Sequence, residues 1–124
     1  MHRLHFVCIA TWQVREVLDS FEADAHVKLD SLQVDGGMTV NSLLMQMQAD
    51  VLQAAVRRPR NVETTAMGAA FAAGLAVSVW PSVDALRDLN PVDAEFVPAI
   101  SAEASQAKLA RWKDAVQRTL GLGV

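Results

Sequence analysis

The residues best suited to chemistry lie between Leu32 and Asn41, in LQVDGGMTVN. Leu32 and Val34 alternate with polar neighbours as in a short strand, and Asp35-Gly36-Gly37 then breaks the alternation. Beyond the glycines Val40, Leu43, Leu44, Met47 and Val51 recur at helical spacing, so the pattern predicts strand, glycine turn, helix. Glycines at such a junction permit a positive φ and remove the Cβ atoms that would keep a ligand off the backbone. A helix starting there aims free N–H groups and its positive dipole end at the turn, which suits a phosphate or another anion. Asp-Gly is also a hairpin signal, but SLLMQMQADVL supplies no second alternating strand. A ligand site and a turn that merely satisfies backbone geometry both fit this pattern. Asp35 is the acid at the glycine turn, where its carboxylate can serve simply to bond turn amides.

Other reactive groupings are absent from the sequence. His2, His5 and His26 are scattered, with no Cys or Asp at metal-ligand spacing. There is no Walker-type phosphate loop and no GxSxG elbow. Cys8, the only cysteine, sits among Phe6, Val7 and Ile9, where a buried inert thiol is the expectation. Arg57, Arg58 and Arg60 are the one basic cluster, read as a solvated strand end rather than a phosphate clamp.

The elements that must position the turn come from a chain of 124 residues, long enough for one domain that buries about two thirds of its unfolded surface. Hydrophobic residues make up 52 %, which predicts a packed core, and a net charge of −3 argues against nucleic acid. A single cysteine fits a reducing compartment, and the opening MHRLHFVCIATW has neither the apolar run nor the cleavage site of a secretory leader, so the expected location is the cytoplasm. The apolar stretch Ala66 to Trp80 is shorter than the ~20 residues of a membrane span.

Leu4 to Ala25 reads as an amphipathic helix with Val7, Ala10, Val14, Val17, Leu18 and Phe21 on its core face, Arg15, Glu16, Asp19 and Glu22 outside, and Trp12 off the stripe. Ala55 to Arg58 reads as a short strand ending at Pro59, which completes βαβ order. Thr64 or Thr65 is expected to cap the helix TTAMGAAFAAGLAV, whose small face, Gly68 included, is suited to close packing, with Trp80-Pro81 ending it. Ser82 to Pro98 reads as loop with a short helix near Val83 to Leu89. Ser101 then caps a last helix with Leu109, Trp112, Val116 and Leu120 on one face, and Gly121 can close it.

VDGGMTVN followed by LLMQMQAD and ETTAMGAAFAAGLAV, with a tryptophan just after, resembles the C-terminal lobe of the glycerol kinases in the FGGY family of carbohydrate kinases. The likeness runs upstream through WQVREVLDSFEAD and downstream through FVPAISAE and RWKDAV, over nearly the whole chain. It implies an α/β fold, part of an actin/hexokinase-like (ribonuclease H-like) ATPase lobe with a short sheet and packed helices. Residues 1–124 would then be an incomplete FGGY C-terminal domain. The resemblance makes Val34 to Asn41 the adenosine-side motif, with nucleotide-binding residues Gly36, Gly37 and Asn41, Gly37 through its backbone and Asn41 from the first turn of the helix. ATP or ADP with Mg²⁺ is the implied cofactor, with the metal ligands outside this chain. Gln33 stands where an arginine is common in the family, and Ala54-Ala55 where a glycine or proline often shapes the loop.

Two functions follow from different classes. In the first, the chain is a fragment or truncated form of an ATP-dependent glycerol kinase, which transfers the γ-phosphoryl of ATP to glycerol to give glycerol 3-phosphate. The resemblance places the N-terminal lobe, the polyol site, the catalytic base and the other phosphate-holding segment outside this sequence. No catalytic residue is therefore expected here, and the isolated chain is expected to be inactive. In the second, it is a non-catalytic module that binds the missing lobe or another protein through an exposed interlobe surface.

Overall fold

A computed structural model describes the backbone of residues 2–122 and the side chains of residues 9–122. The expected burial of Cys8 and the place of Val7 on its helix stripe lie outside the described side chains. The chain runs as helix α1 (His2–Ala25), strand β1 (Ser31–Gln33), a 3₁₀ turn (Gly37–Val40), helix α2 (Ser42–Leu52) and strand β2 (Ala55–Pro59). Helix α3 (Thr64–Ala76), a 3₁₀ turn (Asp84–Leu86), strand β3 (Val92–Phe96) and helix α4 (Ala102–Gln117) follow.

Strands β1 and β2 pair in parallel, Leu32 opposite Val56, so the predicted βαβ unit is present with α2 as its crossover. Strand β3 lies antiparallel on the other side of β2, giving the order β1-β2-β3. The prolines and acids of Ser82 to Pro98 predict loop here, and Asp93 and Glu95 are indeed poor strand residues. Their charges are matched across the ladder: Arg57 Nε lies 2.6 Å from Glu95, and Arg58 Nη2 lies 3.2 Å from Asp93. The helix expected near Val83 to Leu89 is only the 3₁₀ turn Asp84–Leu86.

The core forms where α2 packs on β2, from Leu44, Met45, Ala49, Leu52, Ala54 and Val56, with Leu18, Leu32, Val34 and Phe96 around it. The face of α2 that turns inward matches the predicted one in part: Leu44 and Val51 are buried as expected, but Val40 and Leu43 are exposed, and Met45 and Gln48 are buried as well. Apolar residues occur on almost every side of LLMQMQADVL, so periodicity alone does not choose among them. Gln48 goes inside because its Nε2 donates to Thr11 O on α1 at 3.4 Å.

Helix α1 meets α2 through what was read as its polar side. The Arg15 guanidinium donates to Val51 O (3.0 Å) and Leu52 O (3.2 Å), where α2 leaves carbonyls unpaired and its dipole favours a cation. Asp19 holds the same guanidinium at 2.5 Å. Of the expected core stripe of α1, Leu18 packs against the core and Ala10 is half-buried, while Val14, Val17 and Phe21 are exposed. At the same end of α2, Ser105 Oγ on α4 donates to Val51 O at 3.3 Å. Gln53 makes the corner at φ 55°, leaving Ala54 to enter the core, so this loop is shaped without a glycine or proline.

Helix α3 differs from its expected role. Its small face is exposed at Gly68, Ala69, Ala70, Ala72 and Ala73, and Gly74 is its one buried residue. The helix ends at Ala76, short of Trp80-Pro81, and Trp80 folds back so that its ring lies directly on Gly74. The same ring meets Phe71 edge-to-face at 5.3 Å. Ser101 caps α4 as expected, its hydroxyl accepting from Ala104 N at 3.2 Å. Leu109 is buried, Trp112 and Val116 are half-buried, and Leu120 is exposed.

Candidate functional site

The glycine turn leaves the sheet where β1 ends. Val34 N donates to Arg57 O (3.1 Å), extending the parallel ladder by one residue, and Gly36 N donates to Val62 O (2.8 Å) ahead of α3. Gly36 takes φ +83°, the conformation that favours glycine. Gly37, the second glycine of the junction, opens the 3₁₀ turn with an ordinary backbone. No atom stands within 4 Å of where a Cβ would be at either glycine, so both face open space rather than a packed neighbour.

Thr39 holds the turn together. It is buried, its hydroxyl donates to Gly36 O at 2.7 Å, and its own carbonyl accepts from Arg58 Nη1 at 3.1 Å. Arg58 also lies over the Phe96 ring at 5.7 Å. Its side chain is only 17 % exposed, so this member of the basic cluster is a strut between β2, β3 and the turn. Arg57 remains exposed, as expected. Thr39 and Arg58 were missed as positioning residues. The one available signal was the pair of adjacent arginines on a strand, which must point to opposite faces.

Asn41 is the N-cap of α2 rather than a residue of its first turn. Its Oδ1 accepts from Leu43 N (3.1 Å) and Leu44 N (3.2 Å). This corrects the picture of a helix end with free N–H groups waiting for a phosphate, because the cap already occupies two of them. The Asn41 Nδ2 group donates to nothing among the described residues, and Asn41 is exposed at the far end of the turn that the open glycines begin. A turn of this kind presents backbone and one amide donor, which suits the flat edge of a neutral group better than a multiply charged one.

Asp35 is also placed differently from expectation, accepting from the Thr64 hydroxyl at the start of α3 instead of from turn amides. That contact removes Thr64 from the capping role assigned to it. Glu63 occupies the N-cap position with no side-chain cap bond. Among the described residues no three His, Cys, Asp or Glu side chains group as a metal site. No described helix is long and apolar enough to cross a membrane.

Residues 6–77 match the C-terminal domain of the FGGY family of carbohydrate kinases, more than half of the chain. The chain belongs to this family. Glycerol kinase of Methylorubrum populi is 50 % identical over 110 residues, and glycerol kinase 2 of Streptomyces avermitilis is 47 % identical over 111. These alignments take in 89 % and 90 % of this chain but 22 % of each relative, so the chain spans about a fifth of their length. In structure it is similar to Plasmodium falciparum glycerol kinase with ADP, at a TM-score of 0.80 and 34 % identity, covering 92 % of this chain and 23 % of that one. The xylulose kinase of Lactobacillus acidophilus matches at a TM-score of 0.59 and 14 % identity, a likeness of fold alone. The α/β fold is thus that of the actin/hexokinase-like sugar kinases.

Proposed function

We propose that this FGGY chain is the adenosine-side part of an ATP-dependent glycerol kinase, residues 1–124 forming a portion of the C-terminal domain. In the complete reaction the γ-phosphoryl of ATP passes to a glycerol hydroxyl to give glycerol 3-phosphate. The observation that carries the reading is the Asp35–Asn41 turn. Two glycines with open space around them lie on the same turn as an asparagine whose oxygen is committed to the helix and whose NH₂ has no partner among the described residues. Gly36 and Gly37 would let the nucleoside approach the backbone, and Asn41 Nδ2 would donate to it.

This arrangement fits adenosine and leaves phosphates and Mg²⁺ to the remaining four fifths of a kinase of the relatives' length. Mg²⁺ would neutralise charge developing on the transferred phosphoryl group. With a fifth of the kinase, nucleotide affinity should be weak, roughly millimolar, and phosphoryl transfer from the isolated chain should be undetectable. Losing one preorganised donor already costs about 10²–10³ in rate. The exposed Val14, Val17 and Phe21 of α1 favour a companion role as well, in which this face meets the rest of the kinase or another protein.

Titration of the ¹⁵N-labelled chain with ADP tests the site. Saturable shifts centred on Gly36, Gly37 and Asn41 are expected. Shifts that bypass these three residues would overturn the assignment.

A further inference from the structure

A second concave site lies at the other end of α2, where α1 and α4 converge. Its cavity, about 460 Å³, is walled by Trp12, Met47, Val51, Ile100 and Trp112. Two indoles from different helices with a thioether and two aliphatic chains make a surface suited to a flat apolar body. Lys108 and Arg111 stand at the rim on the same helix as Trp112. Neither has an ion-pair or hydrogen-bond partner among the described residues, whereas five other arginines are paired. The acid in the lining, Asp50, is already engaged: its Oδ1 accepts from Ala99 N at 2.7 Å and from Gln46 Nε2 at 3.1 Å. The rim therefore offers two uncommitted cations beside one carboxylate held by hydrogen bonds. The Trp112 Nε1–H is buried without an acceptor, an uncommon cost for an indole and a mark of a wall not stabilised by its own hydrogen bonding.

We propose that this cavity binds a small organic anion with a flat apolar body, of the aryl carboxylate class. The ring system would lie between Trp12 and Trp112, and the carboxylate would reach Lys108 and Arg111. The anion gains two charge-assisted contacts at the rim, and Arg111 can engage a carboxylate through two parallel N–H groups. The site is independent of the glycine turn, since it uses Met47, Asp50 and Val51 from the C-terminal half of α2, whereas Asn41 caps the N-terminus. ADP and the aryl anion should bind without displacing one another.

The test uses 1-naphthoate as probe and 1-naphthalenemethanol as its neutral counterpart, titrated into the ¹⁵N-labelled chain. The three tryptophan indole N–H signals supply an internal control, because Trp80 packs on Gly74 and Phe71, away from the cavity. Naphthoate should move the Trp12 and Trp112 signals saturably, leave Trp80 in place, and bind about tenfold more tightly than the alcohol. K108Q/R111Q changes two exposed side chains with no structural partners, so it should fold normally. It should abolish that preference while still binding the alcohol. Equal affinity for acid and alcohol, shifts of all three indoles together, or a preference that survives K108Q/R111Q would each overturn the proposal.

Discussion

Helices α2 and α3 follow their strands in the same way yet are held by opposite means. Helix α2 buries Leu44, Met45 and Ala49 against β2, and its ends are tied by Asn41 at one and Arg15, Gln53 and Ser105 at the other. Helix α3 buries only Gly74, beneath Trp80, and starts without a side-chain cap. The lesson is that a helix acquires its role from where its polar ends are tied as much as from its apolar composition. On composition α3 is the more hydrophobic of the two, and it packs the less.

The contrast is broken or sharpened most strongly by truncation. Met45→Ala should cost about 2–5 kcal/mol, the usual range for emptying a core site. Ala69→Ser on the exposed face of α3 should stay within about 0.5 kcal/mol. Chemical denaturation of both variants checks this, and similar losses would mean that α3 is packed after all. Arg15→Met should come next, at about 1–3 kcal/mol, because it strips the last carbonyls of α2 of charged donors. An unchanged denaturation midpoint would show that the tie is incidental.

The glycines divide along the same line. Gly68 is helical and open, so Gly68→Ala should stabilise by about 1 kcal/mol. Gly74→Ala should not, since its Cβ would collide with the Trp80 ring. At the turn, Gly36→Ala should cost about 1 kcal/mol through its positive φ, while Gly37→Ala should be close to neutral for stability. Thermal melts of the four variants decide the order.

The smallest effect concerns the start of α4. The Glu103 carboxyl is held below the ordinary glutamate range by its own backbone N–H and then by the Ser101 hydroxyl. A pKa depressed in the folded state adds stability that is complete above the unfolded-state value and disappears as pH falls through the folded one. Glu103→Gln should therefore be slightly less stable than the wild type at neutral pH, with the difference closing in acid. The pH dependence of the two melting temperatures gives the answer.

How far the sequence determined these outcomes depended on whether the decisive contact was local. The βαβ order, the Ser101 cap and the α4 face of Leu109 and Trp112 rest on short-range patterns, and all are present. Strand β3 was hidden because Asp93 and Glu95 are unfavourable until Arg57 and Arg58 lie opposite them. The buried face of α1 was legible only in part for the same reason: Leu18 packs on the core as expected, but Arg15 looks like a surface residue until the end of α2 is set beside it. At the candidate site, Gly36, Gly37 and Asn41 stood out as a motif. Which glycine takes the positive φ, and that Asn41 caps α2, follow from the 3₁₀ turn that Thr39 and Arg58 hold in place.

The claim that the Asp35–Asn41 turn binds nucleoside rests on the two ends of one side chain, with Asn41 Oδ1 serving the helix and Nδ2 serving the ligand. Asn41→Ser separates them, since serine caps a helix about as well as asparagine and stays neutral but has no amide donor. Equilibrium binding of ADP to the wild type and to Asn41→Ser, with melting temperatures measured alongside, is the most direct test. Unchanged stability with affinity reduced about three- to tenfold, the scale of one neutral hydrogen bond, is the predicted result. Unchanged stability with undiminished ADP affinity would contradict it, leaving Asn41 a helix cap and nothing more.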